Sequence, residues 1–358
     1  MVNPQIEQVN IRQAGVADYA AWDVFVSDHM DATPYHLTAW KKAIEDAYQH
    51  TCFYLIAEQH SKIVGILPLV KIAPPMLSGA TCSLPFCDVG GILVSDEAAR
   101  QPLLEKAKEF ASKHTANKLN LRQSGQAIEA EQLKSDALQG QKVRMMMPLP
   151  ESSSALLSGF KSKLRSQIKK SEKNGISYSQ ANDAEAISAF YVVMQANMRL
   201  LGSPVHSKKW FESIIKHYGE RAQIGLVSKD DVIVGAAIIL MCGKTVTVPW
   251  ASTLAEYNKY SPNMGLYWGL ISYAADNDYG TFDFGRSSVG EGTFRFKKQW
   301  GATAIALDWQ DYDQDGLVAP PTSSGNSKIK TLVAATWAKL PESITNMLGP
   351  MVRRYISL

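Results

Sequence analysis

Residues 281–302, TFDFGRSSVGEGTFRFKKQWGA, gather in one short stretch two acids, several cations and several glycines. The two-residue period of a strand places Phe282 and Phe284 on one face and Asp283 on the other. Gly285, Gly290 and Gly292 then predict a loop whose backbone comes close to a ligand. Arg286, Arg295, Lys297 and Lys298 surround it with positive charge, opposed by Glu291. Backbone amides beside cations make a phosphate site; the other reading of the stretch is an ordinary connection. Phe296 and Trp300, four apart, mark the apolar side of a short helix. The spacing matches neither a Walker sequence nor the dinucleotide fingerprint. Arg286 is placed to meet an anionic substrate group. His206 can accept a proton near neutrality, and Arg199 precedes LGSP, a loop that could line a cleft.

The elements that must hold these residues occur twice. Pro34, His36, Trp40, Ile44 and Tyr48 reappear at the same spacing as Pro204, His206, Trp210, Ile214 and Tyr218, and Ile63-Val64-Gly65 as Ile233-Val234-Gly235. Each copy reads helix, strand, tight turn, strand, followed by a helix (99–114 and 264–277) and a short strand, KLNLRQ or TFDFGR. Each half then closes with one more strand, VRMMMPLP or AIALDWQDY. The fold expected is α+β, two domains each a mostly antiparallel twisted sheet flanked by helices. Domain one is placed at 1–150, domain two at 151–317, and a linker and tail at 318–358. The shared position of His206 and His36 argues for a scaffold role beside the functional one. Only the second copy runs into the glycine-rich, cationic stretch, so the chemistry is expected there.

A chain of 358 residues with 46% hydrophobic and 20% charged residues can bury a core in each half. A net charge of +3 does not by itself point to nucleic acid, and no DNA partner is expected. The four cysteines have no metal-ligand spacing with histidine, so reduced, buried thiols and no metal are expected. The N-terminus lacks the pattern of a signal peptide, and the longest apolar run, 232–242, is too short for a membrane span; a soluble, cytoplasmic protein is expected. Between the halves, Phe160, Leu164 and Ile168 recur at helical spacing with Lys161, Arg165 and Lys169 beside them. That basic stripe is either a solvated face or a site for phosphate groups of a substrate. Residues 320–327 read as a linker. Residues 328–358 carry five Lys/Arg against one Glu among spaced apolar residues. They form either a helical pair docking on the first domain or an interfacial helix touching an anionic membrane at its inner face.

FDFGR, the glycines after it and FRFKKQWGA resemble the C-terminal signature of the FemABX-type transferases and their BioF2-like acetyltransferase relatives. SPNMGLYWGLISYAADNDYG resembles the helix before that signature, and KSKLRSQIKKSEKNGI the inter-domain basic segment. GSPVHSKKWF, SLPFCDVGGIL and FDFGRSSVGEGTFRFKKQWG are closest to exosortase-associated (PEP-CTERM) FemAB-like proteins. The resemblance implies a tandem pair of GNAT-like domains and acyl transfer to an amine or hydroxyl of a sugar- or lipid-linked envelope polysaccharide or glycolipid precursor. It implies an acyl-CoA donor or, as the alternative, an aminoacyl-tRNA serving a peptidoglycan-type precursor; a third reading is a non-catalytic glycan-binding module. Three residues after Arg286 stands Val289 where the coenzyme A pyrophosphate motif has glycine, and the long coiled-coil insertion of some tRNA users is absent. Both donors stay open on these grounds. Acyl transfer needs a deprotonated nucleophile, positioning and oxyanion stabilisation. Lys297, matching the family's Phe-Lys pair with Phe296, is assigned positive charge at the oxyanion or leaving group. Asp283 is assigned to orient or deprotonate the acceptor, or to pair with Arg286 or Arg295. Ser287, Glu291, Asn263, Arg199, His206, Lys161 and Arg165 complete the expected donor and substrate contacts with Arg286 and Phe296.

Overall fold

The computed structural model describes residues 9–318 and 335–357; the linker expected at 320–327 lies outside them. Two units are present, both α+β. The first holds residues 9–125, 307–318 and 357, the second 126–306 and 335–356.

The first unit carries β1 (Asn10–Gln13), α1 (Tyr19–Asp28), α2 (Thr38–Tyr48), β2 (Thr51–Cys52), β3 (Leu55–Gln59) and β4 (Lys62–Leu67). It continues with β5 (Val70–Ile72), β6 (Ala80–Cys82), β7 (Leu93–Val94), α3 (Arg100–His114) and β8 (Leu119–Ala127). One sheet has the order β1-β3-β4-β7, and a second run has the order β2-β5-β6-β8. Leu103, Ala107 and Phe110 of α3 recur at helical spacing and close a core with Leu55, Leu67, Leu119 and Leu121.

The second unit begins with β9 (Lys142–Pro148), α4 (Ser153–Gly159), α5 (Ser162–Lys173), β10 (Ser177–Ala181), α6 (Ala184–Leu200) and α7 (Lys208–Tyr218). Then come β11 (Ala222–Lys229), β12 (Val232–Cys242), β13 (Thr245–Thr253), α8 (Pro262–Asp276), β14 (Thr281–Ser288), α9 (Gly292–Gln299) and β15 (Thr303–Asp313). The strands run β10-β11-β12-β13-β14-β9-β15, antiparallel except for β13 and β14. β15 belongs to this unit as far as Ala306; from Leu307 it joins the first unit, where it neighbours β8 and pairs with β16 (Gly316–Val318). The last helix, α10 (Glu342–Arg353), lies against α6.

The repeat read from the sequence is a repeat of structure. Trp40 and Trp210, Ile44 and Ile214, and Tyr48 and Tyr218 are buried on α2 and α7. Each Ile-Val-Gly triplet is a β-bulge. Ala57 faces Gly65 while Glu58 faces Ile63, which leaves Val64 as the extra residue. Val227 faces Gly235 while Ser228 faces Ile233, leaving Val234. One reading changes. VRMMMPLP does not close the first half: it is β9, between β14 and β15, because Val143, Met145 and Met147 belong to the second unit's core with Phe282, Phe284 and Trp300.

Candidate functional site

β13 and β14 run parallel for three residue pairs, Thr245 with Thr281, Val246 with Phe282 and Thr247 with Asp283. β13 then continues to Thr253 and β14 to Ser288 without further pairing between them, among the described residues. Each strand is bent where they part. In β13, Leu240 faces Thr247 but Ile238 faces Trp250, so Val248 and Pro249 stand opposite Ile239 alone. Pro249 has no N–H to give a ladder and so favours such a break. In β14, Phe284 and Gly285 oppose a single residue of β9, and Gly285 has φ +69°, a conformation that glycine adopts without strain. The wedge between the strands is therefore written by one proline and one glycine.

Two charges are fixed beside it. Asp283 is buried, and Arg144 Nε donates to its Oδ2 at 2.9 Å, with Thr247 Oγ1 donating to the same oxygen at 3.4 Å. Its Oδ1 accepts from the Gly285 N–H at 2.8 Å. The ion-pair partner expected was Arg286 or Arg295. It is Arg144 instead, which lies two residues along β9 from Met146, the residue that Asp283 faces. Lys297 is also buried, on the inner side of α9, and its Nζ donates to the carbonyls of Arg286 at 2.8 Å and Gly285 at 3.3 Å. The ammonium thus holds the two carbonyls that follow Phe284. Ser287, next along β14, is buried with a hydroxyl that has no hydrogen-bond partner among the described residues. Arg286 is half-buried on the same strand.

The glycine loop, expected to let its backbone approach a ligand, is open at Gly292, where a Cβ would meet nothing within 4 Å, and filled at Gly290. Gly290 has φ +84°, and a Cβ there would lie 2.1 Å from Gln139 Oε1, so its close neighbour is this chain's own side chain. Arg295 is spent on the Gly290 carbonyl at 2.7 Å. Glu291 is exposed at the N-cap of α9 and Asn263 is exposed in the first turn of α8. Phe296 packs against Tyr267, ring centroids 5.1 Å apart, and Trp300 at 6.2 Å, as its spacing predicts.

The outer side of α9 lines a cleft of about 630 Å³ with α4, α5 and the end of β9. Met147, Leu156, Phe160, Leu164 and Trp300 make its walls apolar, and Lys161, Lys163 and Lys298 bring three ammonium groups. Trp300 is buried, and among the described residues its indole N–H has no acceptor and the amide oxygen of Gln167, another lining residue, has no donor. A cavity that is mostly apolar with a few convergent polar groups is the usual form of a small-molecule site. The basic stripe expected along α5 is divided: Lys161 lies in the cleft, whereas Arg165 turns to the carbonyls of Ser158 and Phe160.

The other expected contacts, His206 and Arg199, do not line the cleft. His206 is buried against Trp210, ring centroids 5.6 Å apart, and Trp250 at 6.4 Å. Burial, helped by the charge of Arg353, holds its pKa well below the ordinary histidine range. His36 is buried too, and its Nδ1 accepts from the Thr33 N–H at 3.1 Å. Arg199 donates to the Leu340 carbonyl at 3.4 Å. The residues missed in the sequence are Arg144, Thr247, Pro249 and Lys163. A lone cation in VRMMMPLP and a proline inside VTVPWAST were the available signals.

Residues 158–298, which span the wedge, match the acetyltransferase (GNAT) domain family. No curated protein matches the chain. Its fold is similar to the crystal structure of FemX, at 17% identity and a TM-score of 0.66, over 91% of this chain and 100% of that one. A tandem GNAT protein from the clavulanic acid biosynthesis pathway matches at 10% identity and 0.52, over 85% and 98%. The C-terminal domain of a putative lysylphosphatidylglycerol synthetase from Agrobacterium fabrum matches at 12% and 0.52, over 90% and 97%. At such identities it is the fold that is shared. The chain carries a GNAT-type acetyltransferase domain within a FemX-like tandem GNAT fold. It is an acyltransferase.

Proposed function

We propose that this acyltransferase takes its acyl group from a coenzyme A thioester and passes it to an amine or hydroxyl of an anionic, sugar- or lipid-linked envelope precursor. The observation that carries the reading is the parting of β13 and β14 inside the matched segment. Strand backbone without a ladder partner can pair with an extended ligand that itself carries amides, as β-addition does. The pantetheine arm of coenzyme A is such a ligand, and a charged tRNA offers no comparable arm. The three lysines of the cleft supply counter-charge for phosphate groups of a substrate.

In this reading Ser287 is the residue nearest to chemistry: its unpartnered hydroxyl lies one residue beyond the carbonyls that Lys297 holds, and it donates to the tetrahedral oxyanion. Lys297 and Asp283 act as positioning residues, one fixing the Gly285 and Arg286 carbonyls and the other the Gly285 N–H. Arg286 and Lys298 meet substrate anions.

The test is thiol release from a panel of acyl-CoAs with sugar-nucleotide and glycolipid acceptors, the product read by mass spectrometry. Ser287→Ala is expected to lower kcat by about 10²-fold, the order seen for one oxyanion donor, with KM little changed. Lys298→Ala is expected to raise KM at constant kcat. If coenzyme A shows no binding by calorimetry while charged tRNA donates, with affinity falling steeply in salt, the tRNA reading replaces this one.

A further inference from the structure

Helix α10 sits on its unit the wrong way round for an ordinary amphipathic helix. The residues it turns inward are small: Thr345 is buried, and a Cβ on Gly349 would lie 3.3 Å from the Val205 backbone nitrogen. These two are one turn apart, so they form its seat. Its large apolar side chains face away. Ile344, Met347, Leu348 and Met351 follow the i, i+3, i+4, i+7 spacing of one helix face, and all are exposed, Met347 and Met351 at 63% each. Val352 extends that face. Helix α6, against which α10 packs, adds a second exposed row, Val192 and Leu200, and the residue after it, Leu201; Leu200 is 65% exposed and Leu201 61%.

We propose that this face of α10, with the end of α6, docks on an anionic lipid surface. Charge selects the occupant. Residues 328–358 hold Lys328, Lys330, Lys339, Arg353 and Arg354 against Glu342; of the described cations, Lys339 is exposed just before α10, and Arg353 and Arg354 are half-buried at its end. An apolar stripe bordered by cations is the form of a helix that lies in a bilayer interface, and anionic headgroups attract such a basic segment. A second copy fits poorly. A 12-residue helix is roughly 18 Å long and about 10 Å wide, so its face offers on the order of 200 Å², against about 800 Å² per partner in a stable pair. Two copies would also bring like charges together. The proposal does not depend on which donor or acceptor the reaction uses.

The experiment is co-sedimentation of the full chain with vesicles of neutral phosphatidylcholine and with vesicles containing about one third phosphatidylglycerol. Binding is expected to the anionic vesicles, weakening as salt is raised. Met347→Glu with Met351→Glu should weaken it at least tenfold while leaving the thermal midpoint unchanged, since both side chains stand in solvent. Leu200→Glu with Leu201→Glu, on the other helix, should weaken it as well. Equal binding to neutral vesicles at every salt concentration, or unchanged binding by both variants, overturns the proposal. So does a dimer in sedimentation velocity that the α10 variant makes monomeric, which would identify a second copy as the occupant.

Discussion

Asp283 has the look of a general base in the sequence and the contacts of a structural anion in the fold. Its two oxygens are taken by Arg144, Thr247 and the Gly285 N–H, and the Arg144 pair is buried on both sides. Taking one partner away from such a pair leaves the other charge in low dielectric, which costs about 3–5 kcal/mol. Asp283→Asn is therefore expected to lower stability to urea by that order. Arg144→Met combined with Asp283→Leu should recover most of the loss, because no charge is then stranded. A change below about 0.5 kcal/mol for Asp283→Asn, the range of ordinary surface substitutions, would show the carboxylate to be available for chemistry after all. The residue types at the site were readable in the sequence; the pairing was not. Arg144 and Asp283 stand 139 positions apart, and nothing local to either names the other. Lys297 and Lys298 illustrate the same limit. They are adjacent in sequence, but the helix turns one onto β14 and the other into the cleft.

At the scale of elements, periodicity carried far. The helices ending at His114 and Tyr218, the buried strand at 232–242 and the Phe296–Trp300 pair all follow from apolar spacing. The bulges did not, because a bulge alters which residues face each other and leaves the alternation along its own strand nearly intact. The repeated Ile-Val-Gly triplet was visible as a repeat without revealing that it is a bend. Its glycines have a definite steric task. A Cβ on Gly235 would lie 2.8 Å from Thr253 Cγ2 and from Val227 Cγ2, and one on Gly65 would lie 2.9 Å from Val94 Cγ1. Gly235→Ala and Gly65→Ala are each expected to destabilise by about 1–3 kcal/mol, the usual cost of overpacking. Gly280→Ala, where a Cβ meets nothing within 4 Å, is the matched control and should be nearly neutral. Thermal unfolding of the three variants decides it: equal midpoints would mean that the bulges relax freely.

At the scale of the whole chain, the duplication was legible and the path between its copies was not. Sequence reading placed a boundary near residue 150, yet the first unit is assembled from residues 9–125, 307–318 and 357. The late segments are tied in at specific points. Trp309 donates its indole N–H to the Asp88 carbonyl at 2.9 Å, and the Arg122 guanidinium lies over its ring at 5.2 Å. Asn120 donates to Asp311 at 2.7 Å, and the Ser357 carbonyl accepts from the Phe86 N–H at 2.6 Å. A fragment of residues 1–150 lacks Trp309, Asp311 and Ser357 and the strand that carries the first two, so β8 is left as an open edge, the arrangement that invites aggregation. It also carries β9, whose Met145 and Met147 belong to the other unit's core. That fragment is expected to bind a hydrophobic dye, to elute as oligomers and to melt without a cooperative transition, whereas the full chain melts cooperatively. A monomeric 1–150 fragment with a sharp calorimetric transition would show instead that the first copy folds alone and that the returning strand only decorates it.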